Sequence, residues 1–179
     1  MAIEIERKFL VLNNSWQTSD IKGVNIKQGY IKNSIDSVVR IRLTDEKGFV
    51  TIKGNLIKEP KKKENMINNA AAGCSLEIND NNSLCRLEFE YEIPPQDALE
   101  MLGLCEKPLV EKIRYNINFM GYDWSIDYFE GDNYGLIVAE IELKTEHEIF
   151  EKPPWLGKEV TCDSRYLNSN LIKKPFKNW

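Results

Sequence analysis

Along most of this chain, charged and apolar residues alternate with a period of two, and the charges within each segment keep to a pattern. Glu4, Glu6 and Lys8 share one side, opposite Ile3 and Ile5. Arg40 and Arg42 stand against Val39, Ile41 and Leu43, and Thr51 and Lys53 against Val50 and Ile52. Further on, Arg86, Glu88, Glu90 and Glu92 alternate with Leu87, Phe89, Tyr91 and Ile93. Lys112 and Arg114 alternate with Ile113, Tyr115 and Ile117; Asp127 follows, then Glu140 and Glu142 against Ala139, Ile141 and Leu143. A period of two belongs to strands, whose successive side chains point to opposite faces. The pattern predicts eight strands, at 3–11, 26–32, 37–45, 48–54, 84–93, 109–119, 122–129 and 136–143.

Turn chemistry supports that division. Asp45-Glu46-Lys47-Gly48 joins two strands as a hairpin, and Met120-Gly121 joins another pair. Residues 95–103 read as a short helix with Pro near the start and Gly at the end, and 145–151 and 164–171 are further helix candidates. Residues 55–82 stand apart, with the basic run Lys61-Lys62-Lys63 and then an Asn- and Ala-rich stretch without periodicity. Their place between two strands expected to pair makes them an extended hairpin or loop insertion in a single domain spanning 1–179. That insertion is either a solvated loop or a lid that captures polyanions.

Two architectures suit such charged faces. An open sheet with one wet face would use the charges only for solubility. Yet Arg40 beside Arg42, and Glu140 beside Glu142, repel unless opposite charges sit between them, and free surfaces usually intersperse signs. A closed barrel with its charges turned inward accounts for more: apolar faces point outward under helices and loops, and eight strands enclose room for one slender ligand. The expected fold is therefore α+β and mainly β, a closed eight-stranded antiparallel β-barrel with a few peripheral helices. Ions buried in such a lumen need partners. The basic residues call for an oligoanion and the carboxylates for hard cations; a metal–triphosphate complex supplies both, with Mg²⁺ or Mn²⁺ bridging phosphate and carboxylate oxygens.

Composition narrows the chemistry further. The single histidine, His147, lies in the polar run KTEHEIF, so histidine-based catalysis and His-rich metal sites are nearly excluded. Cys74, Cys85, Cys105 and Cys162 form no CxxC pair, which argues against zinc and against a disulfide framework. A formal net charge of −4 gives no sign of a nucleic-acid surface. The charged opening MAIEIERKFLV and the lack of a long apolar run predict a cytoplasmic chain with no membrane partner. Trp16, Trp124, Trp155 and Trp179 fall near strand or chain ends, where packing is the expected role, and nothing resembles a base pocket. Oligomeric state is not legible.

The ordered set of motifs resembles the CYTH family, the triphosphate tunnel metalloenzymes. Its ExExK signature stands as Glu4-Ile5-Glu6-Arg7-Lys8. It is followed by Gln28-Gly29-Tyr30, Arg40-Ile41-Arg42, Thr51-Ile52-Lys53, Glu88-Phe89-Glu90, Lys112-Ile113-Arg114-Tyr115, Asp127 and Glu140-Ile141-Glu142. Residues 155–161 and 165–168 look like the family's closing segment; Lys158 and Arg165 are left out of the site. The resemblance implies an eight-stranded tunnel, one or two divalent ions and a substrate carrying a triphosphate, either tripolyphosphate or a nucleoside triphosphate. It carries over metal binding to Glu4, Glu6 and Glu142, with Glu140, Asp127 and Glu90 near a second ion or water. It carries over phosphate binding to Lys8, Arg40, Arg42, Lys53, Arg86, Lys112 and Arg114. Lys8, Tyr30 and Glu90 are the expected catalytic residues, Tyr30 beside Lys8 resembling bacterial tripolyphosphatases; a packed strand residue is the other reading of Tyr30. The family also holds adenylate cyclases and thiamine triphosphatases, and a non-catalytic polyphosphate or nucleotide sensor is the non-enzymatic alternative. The insertion at 55–82 is long for a compact bacterial member and bears on substrate size.

Overall fold

The structure, a computed structural model, describes residues 5–34, 37–54, 87–145 and 147–179. Its strands are β1 (Ile5–Val11), β2 (Gly23–Asn33), β3 (Ser37–Thr44), β4 (Gly48–Gly54), β5 (Leu87–Ile93), β6 (Val110–Phe119), β7 (Tyr122–Phe129), β8 (Ile137–Leu143) and β9 (Leu156–Glu159). Two α-helices accompany them, α1 (Pro95–Gly103) and α2 (Asn168–Lys173). Within the described residues the predicted strands reappear with small shifts at their ends, residues 3, 4 and 84–86 lying outside them, and the helix predicted at 95–103 forms with the same bounds. The insertion at 55–82 lies outside the described residues.

All neighbours pair antiparallel in one sheet, in the order β5-β4-β3-β2-β6-β7-β8-β1-β9. This corrects the expected closed barrel of eight strands: among the described residues the sheet has nine, and β5 and β9 do not pair with each other. Closure would require β1 to meet β5. Instead β9 caps that side of β1, pairing Phe9 with Glu159 and Val11 with Leu156. Arg7 strengthens the junction, donating from Nε to Glu159 at 2.8 Å. A segment of four residues, LGKE, is too short for periodicity to announce it as a strand.

The sheet nevertheless curls. Strand spacing of about 4.8 Å would put β3 and β8, four steps apart, roughly 19 Å from each other in a flat sheet. Val38 of β3 and Val138 of β8 instead join one apolar cluster with Tyr30, Val110 and Phe129, completed by Leu171 and Ile172 of α2. Thus α2 fills one end of the concave face, tied to β2 by the Asn33 amide donating to the Ser169 carbonyl at 2.9 Å.

The convex face is apolar, as the alternation requires. Over β3 and β4, α1 lays Ala98 and Leu102 on Ile41, Leu43 and Val50. Gly48 permits that approach, since a Cβ there would lie 2.6 Å from Ala98 Cβ. Over β1, β7 and β8, Trp16, Trp155 and Phe150 cover Phe9, Trp124 and Ile141. Met120 and Gly121, both at positive φ, make the tight turn between β6 and β7. The helix expected at 145–151 does not form among its described residues. The Glu148 carboxylate takes the Lys144 amide at 2.7 Å and the Tyr122 hydroxyl at 3.3 Å, which favours a turn there. Among the described residues no helix is long and apolar enough to cross a membrane.

One register irregularity sets which side chains of β2 reach the concave face. Tyr30 pairs with Arg40 but Lys32 pairs with Val39, so Ile31 is an extra residue in β2. The bulge leaves Tyr30 on the concave face and turns Lys32 away from it. Because Leu171 is fully buried, Leu171→Ala is expected to cost about 2–5 kcal/mol. Urea denaturation checks this; a loss below about 0.5 kcal/mol would show that α2 does not pack into the concavity.

Candidate active site

Residues paired directly across an antiparallel sheet point to the same side, so the register decides which side chains meet. Glu6 lies opposite Glu142 and Lys8 opposite Glu140 on β1 and β8. Arg114 lies opposite Asp127, Tyr30 opposite Arg40, Arg40 opposite Thr51, Thr51 opposite Glu90, and Lys53 opposite Glu88. Those of the charged side chains read from alternation that are described therefore share the concave face.

There they form two banks. On the β3–β5 bank, Arg40 meets Glu90 at 3.1 Å and Glu88 at 3.5 Å, Arg42 meets Glu90 at 2.6 Å, and Lys53 meets Glu88 at 2.5 Å. Thr51, fully buried, donates to Glu90 at 2.7 Å and accepts from Arg40 at 3.1 Å. On the other bank, Asp127 is fully buried and receives Lys112 together with the Nε and Nη2 of Arg114, both at 2.7 Å. Glu140 accepts from Arg114 at 2.6 Å and from Lys8, and the Lys8 ammonium also lies 3.0 Å from Glu6. Between the banks stands Tyr30, whose hydroxyl accepts a 3.3 Å hydrogen bond from the buried Gln28 amide.

The protonation behaviour follows from burial and these partners. Burial, aided by the neighbouring Glu140 carboxylate, pushes Glu6 up to about 7. Burial opposes charge on Glu140 too, yet Lys8, Arg114 and Lys112 hold it well below the usual carboxylate range. For Lys8, burial is outweighed by Glu140 and Glu6, which keep the ammonium firmly protonated. Lys112 drops to about 8, chiefly through burial, with Asp127 resisting. Arg42 is lowered by burial and by Arg40 beside it. Tyr30, raised to about 12 mainly by burial, is a neutral phenol at physiological pH.

Of the expected site residues, Lys8, Tyr30, Arg40, Arg42, Lys53, Glu90, Lys112 and Arg114 are gathered here with Glu6, Asp127, Glu140 and Glu142. Glu4 and Arg86 lie outside the described residues. Among the described residues no three carboxylates converge as a ready-made metal cage. Lys8, Lys112 and Arg114 sit among the acidic ligands expected to hold the ion, and Asp127 in particular is engaged by two of them. The donor chemistry still fits a hard divalent cation. Glu6 and Glu140 crowd one another, and such oxygen pairs are relieved by a proton, an ammonium or Mg²⁺-like ions. Thr51, set with Lys53 on the charged face, and Gln28, in the motif with Tyr30, were given no role in the site, because uncharged residues add nothing to a charge pattern; the signal available was their place two residues from Lys53 and Tyr30 in period-two strands.

Comparison with known proteins bears on the chain's family. The CYTH domain profile matches residues 2–174. A protein of Acetivibrio thermocellus named inorganic triphosphatase is 44% identical over 180 residues, covering 100% of this chain and 99% of the relative. One of Nitrosomonas europaea, also named inorganic triphosphatase, is 30% identical over 172 residues, covering 94% and 95%. A crystal structure described as an inorganic triphosphatase superposes with a TM-score of 0.62 at 28% identity, over 96% of this chain and 95% of the other.

A pH dependence arises from the β3–β5 bank. Burial alone would raise Glu90, but the Thr51 hydroxyl with Arg42 and Arg40 holds it below its ordinary 4.5. A carboxylate depressed in the folded state adds stability that is complete above its unfolded value and lost as pH falls through the folded one. Glu90→Gln is therefore expected to flatten the fall in stability below pH 4.5. Urea titrations at a series of acid pH values test this, and an unchanged slope refutes it.

Proposed function

The chain belongs to the CYTH domain family, and from that premise we propose that it is a metal-dependent triphosphatase that removes the terminal phosphate of inorganic tripolyphosphate. The observation that carries this reading is on the β3–β5 bank. Arg40 Nε and Arg42 Nε are buried with no hydrogen-bond partner among the described residues, on a face whose other bank is rich in carboxylates. Buried guanidinium donors without partners suit phosphate oxygens, which accept bidentate pairs.

In the mechanism we propose, water attacks the terminal phosphorus in line and the pyrophosphate leaves. Glu6, Glu140 and Glu142, with Glu4, would hold Mg²⁺ or Mn²⁺, which supplies charge neutralisation along the phosphate chain. Arg40, Arg42, Lys53, Lys112, Arg114 and Lys8 grip phosphate oxygens and stabilise charge on the transferring and leaving groups. Asp127 anchors Lys112 and Arg114 for that task. Tyr30 acts as a neutral donor: with Gln28 donating to its oxygen, its own proton is available to a phosphate oxygen. Glu90 orients the water. An inner face with grips for phosphates and, among the described residues, none for a nucleobase supports preference for the inorganic chain over nucleotides, which it accepts less well. The same reading assigns the chain to the cytoplasm.

Incubation with tripolyphosphate, ATP and thiamine triphosphate, with product identification, tests the reading. Tripolyphosphate is expected to lead ATP in kcat/KM by at least about tenfold. Cyclic AMP as product would make the protein a cyclase, leadership by thiamine triphosphate would move it to that branch, and binding without turnover would make it a sensor.

Substitutions test the residues. Arg40→Ala and Arg42→Ala are each expected to weaken tripolyphosphate binding by about 1.5–3 kcal/mol, with lysine restoring only part. Unchanged affinity in both alanine variants would put these arginines outside the site. Glu6→Gln is expected to lower turnover about a hundredfold, near 2.7 kcal/mol, with the fold intact. Normal phosphate release by that variant would remove Glu6 from the metal set.

A further inference from the structure

Lys8 occupies a place that its role as a phosphate grip does not explain. Its ammonium lies 3.0 Å from Glu6 Oε2 and hydrogen-bonds Glu140 Oε1, while Arg114 takes Glu140 Oε2 at 2.6 Å. The side chain is only 9% exposed. The backbone beneath it is fixed: the Lys8 amide donates to Thr161 Oγ1 at 3.0 Å, and its carbonyl accepts from Val160 at 2.8 Å. Any displacement of the charge must therefore come from the four-carbon side chain.

We propose that the Lys8 ammonium is a built-in stand-in for the divalent cation, which must leave Glu6 and Glu140 before an ion can settle there. The inference rests on the reading of Glu6 and Glu140 as metal ligands. A carboxylate oxygen shared with an ammonium is a poorer ligand, and a positive charge about 3 Å away repels an incoming dication strongly in a site shielded from water. The free protein accordingly holds divalent ions weakly. An arriving phosphate chain offers Lys8 another partner and so releases the carboxylates. Phosphate and metal affinities are then coupled, each raising the other by the same factor. Such coupling guards against idle occupation of the acidic bank when no substrate is present.

Titration of the full-length protein with Mn²⁺ in phosphate-free buffer, with free Mn²⁺ read by electron paramagnetic resonance, tests this without reference to activity. Lys8→Met keeps the length of the side chain and removes its charge, and is expected to bind Mn²⁺ at least about tenfold more tightly than the wild type. Equal or weaker binding overturns the stand-in role. Glu6→Gln, made in the wild type and in Lys8→Met, separates the two readings. Loss of Mn²⁺ binding on Glu6→Gln with no gain on Lys8→Met overturns only the role of Lys8. Binding indifferent to Glu6→Gln in both backgrounds overturns the metal-site reading beneath it. Should Lys8→Met fail to fold, acetylation of Lys8 in the wild type, read by mass spectrometry, carries the test. Mn²⁺ is expected to raise the labelling rate of Lys8 severalfold relative to the other lysines, and unaltered labelling overturns the proposal.

Discussion

Everything in this structure answers to the need to neutralise ions on a face largely withdrawn from water. Asp127 has no exposed surface, Lys112 is 2% exposed and Glu140 7%. Leaving one of such ions unpaired is strongly destabilising, by about 3–5 kcal/mol. The register serves that need: β1 meets β8 so that Lys8 faces Glu140, and β6 meets β7 so that Arg114 faces Asp127. A slip of one residue would turn those charges onto the convex face and the apolar residues inward. Charge pairing and hydrophobic burial thus select the same register, and neither would specify it as firmly alone.

Once the charges are committed to the concave side, the outer face must be covered. Two different devices do this. A helix, α1, spans β3 and β4, whereas aromatic residues from the segments before β2 and before β9 cover the other half, with Trp124 and Trp155 edge to face at 5.3 Å. The concave side has its own apolar end, where α2 packs on Tyr30, Val110 and Phe129. Tyr30 belongs to both regions, packed in that cluster and within electrostatic reach of Lys8, Arg40, Arg42 and Glu140. Burial in that cluster pushes its phenol further up, to about 12.

Alternation made the strands and the membership of the charged face legible, because period two is a local property of the chain. Properties that depend on distant neighbours were not legible. The bulge at Ile31 breaks the alternation of β2 without a glycine or proline to signal it. The strand β9 is too short to carry a period, and it pairs on the side of β1 that closure would need. Leu171 and Ile172 look like any short helix pair in sequence, and only the curl of the sheet makes them the filling of its concave end. For the site, residue type foretold which ions gather but not how they pair. Lys8 was read as a phosphate ligand, and its place between Glu6 and Glu140 arises from register.

That pairing bears on how a phosphate chain could be bound with any selectivity. Six basic side chains without counter-ions would repel one another and would hold any small anion. Where each is already matched by a carboxylate, an anion must outcompete a neighbour that is covalently held in place, and a single phosphate offers little advantage over the carboxylate it displaces. A chain of phosphates can engage the Arg40–Arg42 bank and the Lys112–Arg114 bank together, gaining several exchanges for one loss of translational freedom. The displaced carboxylates then form an acidic bank with lost partners, which divalent ions satisfy. On this account, by occupying the cations beforehand, the acidic residues would set the minimum length of polyanion that the face can retain.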